Sequence, residues 1–318
     1  MLFQTLPQVV RERLLSLAAG CTVALPEGED ERIQEAARIL QQHAGVRSVI
    51  LDANSALKNE QLAAGVIAKN FEKRGKKPNL EQLSRARDPL FVAGAMLELG
   101  RVDAVVAGAV ATTPQVIRAV LGTVGTLPSV PLITSCFLFR LAAPTSGGED
   151  VVLYADAGVI PQPTSAQLPQ IALLSAQAFE AWTGREARVG FLSFSTFGSA
   201  EHPDVQKMRE AAAVFGQNNP QWLSEGELQF DAAVVPDVAR RKNPATRLAG
   251  RTNVFVFPDL DAGNIAYKIT QRLAGAEAWG PLLLGSAKPF SDLSRGASAS
   301  DIAHVALLTL ALGRSGAQ

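Results

Sequence analysis

The chain is poor in most of the residues that announce a specialised protein class. It has two cysteines, Cys21 and Cys136, far apart and without metal-ligand spacing. That argues against a disulfide framework or a zinc motif and suits a reducing compartment, so a cytoplasmic location is expected. Histidines number three, at positions 43, 202 and 304. Aromatic residues make up only 6% of the chain. No apolar run approaches the roughly 18 residues needed to span a bilayer. Met-Leu-Phe-Gln-Thr-Leu-Pro at the start has no basic region followed by an apolar run, so no secretory signal is expected. Neither charge sign dominates, with 30 basic and 30 acidic residues. No basic field therefore points to nucleic acid or a membrane surface as partner. There is no Gly-Lys-Ser/Thr phosphate loop, and the glycines near position 108 do not form a Gly-x-Gly-x-x-Gly dinucleotide turn.

What is present is length and alternation. A chain of 318 residues can bury a large core and predicts two domains. Apolar strands alternate with amphipathic helices. Strands are read at 22–25, 46–51, 103–107, 130–139, 151–154, 188–194, 253–257 and 281–284, and helices lie between most of them. That pattern predicts an α/β fold, with parallel or mixed sheets covered by helices on both faces. Asp30, Asp88-Pro89 and Thr113-Pro114 read as helix starts. Residues 216–229 read as polar and turn-rich. Phe230 to Val235 reads equally as a short strand or a helix.

Polar groups gather just past the ends of apolar strands, where open α/β sheets bind ligands. Strand 103–107 runs into Gly108-Ala-Val-Ala-Thr-Thr113, whose backbone N–H groups suit an anion. Strand 253–257 leads to Asp259, Asp261 and a helix from about 264 to 274 that ends at Arg272. The two aspartates could hold Mg²⁺ or cap the helix; no further carboxylate of suitable spacing follows, and no metal is expected. Strand 281–284 opens into a loop with Lys288, Asp292, Ser294 and Arg295, and then into Ser298-Ala-Ser-Asp301. Locally, Asp301 reads as the third helical position of a capping box, Ser294 as a turn serine, and Arg272 as a cation in a last helical turn. Ser195, Thr196 and Ser199 belong to a hydroxyl-rich turn, which could line a ligand path or simply connect two elements. The basic turn around Arg74 reads as solvated charge.

Several stretches then point one way. They are Leu25-Pro-Glu-Gly-Glu-Asp-Glu-Arg32, Val106-Ala-Gly-Ala-Val-Ala-Thr-Thr113, Tyr154 to Thr164, Leu192 to Ala200, Gly226 to Ala233, Phe257 to Tyr267 and Asp292-Leu-Ser-Arg-Gly296. Spread over nearly the whole chain, they resemble the phosphate acetyltransferases, in the short form of the phosphate acetyl/butyryltransferase family. Some also resemble the variant associated with ethanolamine or propanediol breakdown. The resemblance implies two three-layer α/β/α domains with a cleft between them, related to the isocitrate and isopropylmalate dehydrogenases. Domain I would take residues 1–135 and 277–318, and domain II residues 136–276. It implies a homodimer that exchanges acetyl between acetyl phosphate and coenzyme A by direct attack in a ternary complex. Coenzyme A would be a substrate, and no tightly bound cofactor or catalytic metal is expected.

Carried over residue by residue, the resemblance makes Asp301 the catalytic aspartate, with Ser294 and Arg295 the catalytic serine and its adjoining arginine. Arg272 would bind phosphate, Arg74 would match an arginine of the first domain, and Ser195, Thr196 and Ser199 would line the coenzyme or phosphate path. The chain departs from the family at Leu284, Ser291, Ala297 and Thr246; of these the Leu284 change, which removes an amide donor, bears on rate and acyl preference more than on reaction class. Alternatives are transfer of a longer acyl group such as butyryl, a metal- and nicotinamide-dependent dehydrogenase on the related fold, or a non-catalytic acyl-coenzyme A binding protein.

Overall fold

The structure, a computed structural model, describes residues 3–316; residues 1–2 and 317–318, which end the predicted first domain and open the leader reading, lie outside them. Among the described residues there are ten strands: β1 (Thr22–Leu25), β2 (Arg47–Ile50), β3 (Ala104–Val106), β4 (Thr134–Arg140), β5 (Val151–Ala155), β6 (Arg188–Leu192), β7 (Leu223–Leu228), β8 (Val254–Val256), β9 (Glu277–Leu284) and β10 (Phe290–Ser291). The chain divides into two compact units. One contains Gln8–Ile133 and the stretch from Gly280 onward, and the other contains Thr134–Trp279 with Thr5–Pro7.

The first unit is built on a sheet of order β10-β3-β1-β2. All its pairings are parallel, with Leu25 beside Ile50 and Val106 beside Ser291. Val23, Ala24, Leu25 and all of β3 are fully buried, as expected of strands covered on both faces. Parallel strands all end at one edge, so the loops after β1, β3 and β10 emerge side by side. The helices are set by local chemistry. Asp30 caps Glu31–Ala44, which stops at Gly45 in the left-handed conformation, φ 62°. Asp88 caps Pro89–Glu98 with proline in the first turn. The helical signal over 80–99 thus divides at Asp88-Pro89, as read, into Leu80–Ser84 with a short 3₁₀ turn and the helix Pro89–Glu98. Ala299–Arg314 is apolar nearly all round and is buried from Ile302 to Leu312.

The second unit has a mixed sheet of order β7-β6-β8-β5-β4-β9. β4 and β5 are antiparallel, whereas β5-β8, β8-β6 and β6-β7 are parallel. Its core concentrates the chain's few aromatics. Phe139 and Tyr154 lie 4.7 Å apart by ring centroid, and Phe137 stacks on Tyr267 at 4.1 Å, which fixes helix Leu260–Arg272 to the sheet. That helix starts four residues earlier than expected, at the Asp259 cap. Gly263 lies inside it, where a Cβ would meet the Asp156 carbonyl oxygen at 2.2 Å. Residues 216–229, read as turns, include β7. Residues 230–234 are helical.

Candidate active site

The loop after β3 was expected to offer its N–H groups to an external anion. The anion is internal. Glu27, in the loop after β1, accepts from the backbone N–H of Gly108 and Ala109 through Oε2 at 2.9 and 2.8 Å. Its Oε1 accepts from Val110 and Ala111 at 2.9 and 2.7 Å. One carboxylate thus satisfies four donors that no strand or helix could. Neighbouring loops at the sheet edge are joined by this contact.

The loop after β10 carries the expected catalytic groups. Ser294 O accepts from Ala297 N at 2.8 Å, closing a turn. Ser294 and Arg295 are exposed on it. Ser294 Oγ accepts from Gly296 N at 3.3 Å, and among the described residues no acceptor takes its O–H. Arg295 pairs with no carboxylate among the described residues, so its five N–H donors face outward. Four residues past the turn, the capping box read from sequence is formed. Asp301 Oδ2 accepts from Ser298 N at 2.9 Å and Ser298 Oγ at 2.8 Å, and Asp301 N donates back at 3.2 Å. Asp301 Oδ1 takes no hydrogen bond among the described residues. The cap therefore orients the carboxylate and leaves one oxygen available. His304, one turn on, is buried and donates from Nδ1 to the Ser300 carbonyl oxygen at 2.7 Å.

Two further residues fix this loop. Asp292 is fully buried at its base; Oδ2 accepts from Thr113 Oγ1 at 2.5 Å, while Oδ1 has no hydrogen-bond partner among the described residues. Burial pushes its carboxyl up to about 6, against the opposing pull of the Thr113 hydrogen bond. Oδ1 sits where a Cβ on Gly108 would fall, 2.2 Å away, and Gly108 has φ 107°, so only glycine suits that position. The second is Arg32, whose guanidinium reaches the Arg295 and Ala297 carbonyl oxygens at 2.8 and 2.9 Å. Sequence reading passed over it because a charge early in a helix looks ordinary. Lys288, partly exposed, has a local structural task. Its Nζ donates to the Leu97 and Glu98 carbonyl oxygens at 3.1 and 2.6 Å, capping the end of helix Pro89–Glu98.

The remaining expected residues lie on other loops and helices. Arg74 donates to the Leu121 carbonyl oxygen at 2.5 Å and lines a cavity of about 120 Å³ with Arg85, Arg118 and Phe91. In the second unit, Ser195 and Thr196 are buried and their hydroxyls are engaged. Ser195 Oγ donates to Glu227 Oε1 at 3.0 Å, and Thr196 Oγ1 accepts from Gln229 N at 2.8 Å. Ser199 is exposed, and its Oγ accepts from Thr196 N at 3.0 Å. The turn wraps Glu227, which is 1% exposed and paired with Arg209 at 3.0 Å. Burial pushes that carboxyl up, but Arg209 and the Gly198 N–H outweigh burial and hold it below its ordinary value. Arg272 ends its helix exposed and unpaired among the described residues. Asp259 is the helix cap, accepting from Ala262 N at 2.8 Å. Among the described residues no group of three or more His, Cys, Asp or Glu side chains is placed to hold a metal ion.

Parallel strands ending in loops with an exposed arginine, a hydroxyl donor and a half-free carboxylate define an α/β enzyme suited to an anionic substrate. The profile of the family described as Phosphate acetyl/butaryl transferase matches residues 5–310. The phosphate acetyltransferase of Acetivibrio thermocellus is 37% identical over 308 residues, covering 91% of this chain and 92% of that protein. That of Paracoccus denitrificans is 41% identical over 298 residues, covering 90% and 93%. A phosphotransacetylase structure from Streptococcus pyogenes aligns with a TM-score of 0.85 at 32% identity, over 96% of this chain and 98% of that one. The chain belongs to the phosphate acetyl/butaryl transferase family.

Proposed function

We propose that the chain transfers acetyl between acetyl phosphate and coenzyme A by direct attack of the coenzyme A thiolate, with Asp301, Ser294 and Arg295 as the groups that act on the reactants. The reaction itself is that of the phosphate acetyltransferases, and the chain is an enzyme of that kind. A single observation supports the assignment of roles: the 294–301 segment presents a free guanidinium, a free O–H and one free carboxylate oxygen within eight residues.

Each group meets a chemical need. A thiol of pKa about 8.5 must lose its proton to attack. Asp301 Oδ1 is the available base; the capping box holds the carboxylate in place through Oδ2. The thiolate sulfur then bonds to the acetyl carbon, and the bond from that carbon to the bridging phosphate oxygen breaks with its electron pair leaving on phosphate. The proton held by Asp301 passes to the departing phosphate, so the enzyme returns to its starting state. Charge that builds on the carbonyl oxygen accepts the Ser294 O–H. Arg295 matches the phosphate oxygens with its planar fork. Arg272, in the second unit, is exposed and without a carboxylate partner among the described residues, which suits the phosphate-binding role the resemblance gives it. No step requires a tightly bound cofactor or a metal.

The expected homodimer is part of this reading. Ile265, Ile269 and Leu273 fall at four-residue spacing along helix Leu260–Arg272 and its end, and are 57%, 52% and 83% exposed. Such an apolar stripe suits a second copy of the chain. A cytoplasmic location also belongs to it, on the strength of free Cys21 and Cys136. Among the described residues no helix is long and apolar enough to cross a membrane.

Direct attack is tested by incubating the enzyme with acetyl phosphate in the absence of coenzyme A. The expected result is no phosphate burst and no acetyl mass added to the protein. A stoichiometric burst with acetylated protein would replace direct transfer by an acyl-enzyme. Comparing acetyl with butyryl phosphate in the full reaction decides acyl preference.

A further inference from the structure

Arg32 differs from every other arginine near the candidate site in how its donors are spent. A guanidinium has five N–H groups and no acceptor, and here all five are occupied. Nε donates to Asp30 Oδ1 at 3.0 Å. Nη2 donates to Asp30 Oδ2 at 2.6 Å and to the Ala109 carbonyl oxygen at 2.9 Å. Nη1 donates to the carbonyl oxygens of Arg295 at 2.8 Å and Ala297 at 2.9 Å. Asp30 is at once the cap of helix Glu31–Ala44, accepting from Arg32 N at 2.8 Å, and the partner that orients the guanidinium. The pair is well enough formed that Arg32 holds the Asp30 carboxyl below its usual range.

With no donor left for a phosphate oxygen, Arg32 is no substrate clamp. What it holds is the loop after β10, by the two carbonyls on either side of Gly296, and the loop after β3, by Ala109. Arg295 stands on the peptide that Arg32 grips. We infer that Arg32 is a positioning residue for the transfer, acting through Arg295 by fixing the 294–297 turn against the loops after β1 and β3. The inference rests on the reading that Arg295 meets the reactants. Lysine cannot substitute, because an ammonium has three donors in a different geometry and cannot span a carboxylate and three carbonyls.

The test is a double-mutant cycle on the full chain, read by steady-state kinetics for acetyl phosphate and coenzyme A. The variants are Arg32→Lys, Arg295→Ala and the pair, each normalised to folded protein by circular dichroism. Arg32→Lys is expected to lower kcat/KM for acetyl phosphate by about ten- to a hundredfold, the scale of a misplaced catalytic group. In the Arg295→Ala background it should cost at most about twofold more, since residues acting through one another are not additive. Should Arg32→Lys fail to fold, Asp30→Asn keeps a good helix cap while removing the charge that orients Arg32. It should give a smaller loss of the same kind, again absent once Arg295 is gone. Losses that multiply fully in the pair would overturn the inference, as would normal kinetics in Arg32→Lys. Normal kinetics in Arg295→Ala would overturn the assignment of Arg295 itself, and with it the route by which Arg32 is argued to act.

Discussion

Asp292 shows how one residue couples burial to the site. It is a carboxyl with no exposed surface, one hydrogen bond and a raised pKa of about 6, against an ordinary 3.8. A carboxyl that binds its proton more tightly in the folded chain stabilises the fold below its unfolded pKa. That contribution is lost as pH rises through the folded value. The window is therefore about pH 4 to 6, and the two-unit gap corresponds to at most about 3 kcal/mol. Denaturant titrations of wild type and Asp292→Asn at pH 4, 5, 6 and 7 should show the wild type losing stability relative to the variant across that window. Parallel curves would contradict the assignment. Asp301, by contrast, is observed in the helix's capping box and, in the reading proposed above, is also the base. The capping reading and the catalytic reading competed in the sequence, and the structure gives one oxygen to the cap and leaves the other.

At the scale of elements, acidic residues do what an external anion was expected to do. Glu27 gathers the four N–H groups after β3. Asp156 accepts from Ser135 Oγ at 2.6 Å and from the N–H groups of Gly158, Val159 and Ile160 at 2.9, 3.1 and 2.9 Å. Glu225 accepts from Thr246 Oγ1 and Arg247 N, both at 2.6 Å. Glu27→Gln leaves one acceptor oxygen and turns an NH₂ toward two of the N–H donors. Each buried donor left alone costs about 1–3 kcal/mol, so the variant should lose about 2 kcal/mol or more in urea unfolding; a change under about 0.5 kcal/mol would show that the nest carries little. This device also explains what the sequence hid. β7, Leu-Ser-Glu-Gly-Glu-Leu, reads as a polar turn because Glu225 and Glu227 lie within it, and their partners are 20 residues or more away or on other elements. The strands with unbroken apolar runs, and the helices opened by Asp30, Asp88 and Ser298, were legible because their causes are local.

For the whole molecule, alternation of strand and helix was enough to give the α/β class, and the ordered stretches from Leu25 to Gly296 were enough to give the family. What could not be read was which charged groups are spent. Arg32, Lys288 and Arg295 look alike in sequence, yet Arg32 is spent on Asp30 and three backbone carbonyls, Lys288 donates to two carbonyls, and Arg295 has no carboxylate partner among the described residues. The apolar stripe on helix Leu260–Arg272 raises a prediction at this scale. Ile269→Asp should shift the chain from dimer to monomer in sedimentation at micromolar concentration, with the far-ultraviolet spectrum unchanged. A dimer of undiminished stability would move the interface elsewhere.

The account stands most directly on the roles given to the 294–301 segment. The measurement that tests it is thioester formation from acetyl phosphate and coenzyme A, without added metal, by wild type, Arg295→Ala and Asp301→Asn. Wild type should turn over. Arg295→Ala should raise KM for acetyl phosphate, while Asp301→Asn should lower kcat by about a hundredfold or more, the scale of a lost general base. Folded variants that both match wild type would contradict the assignment of the site.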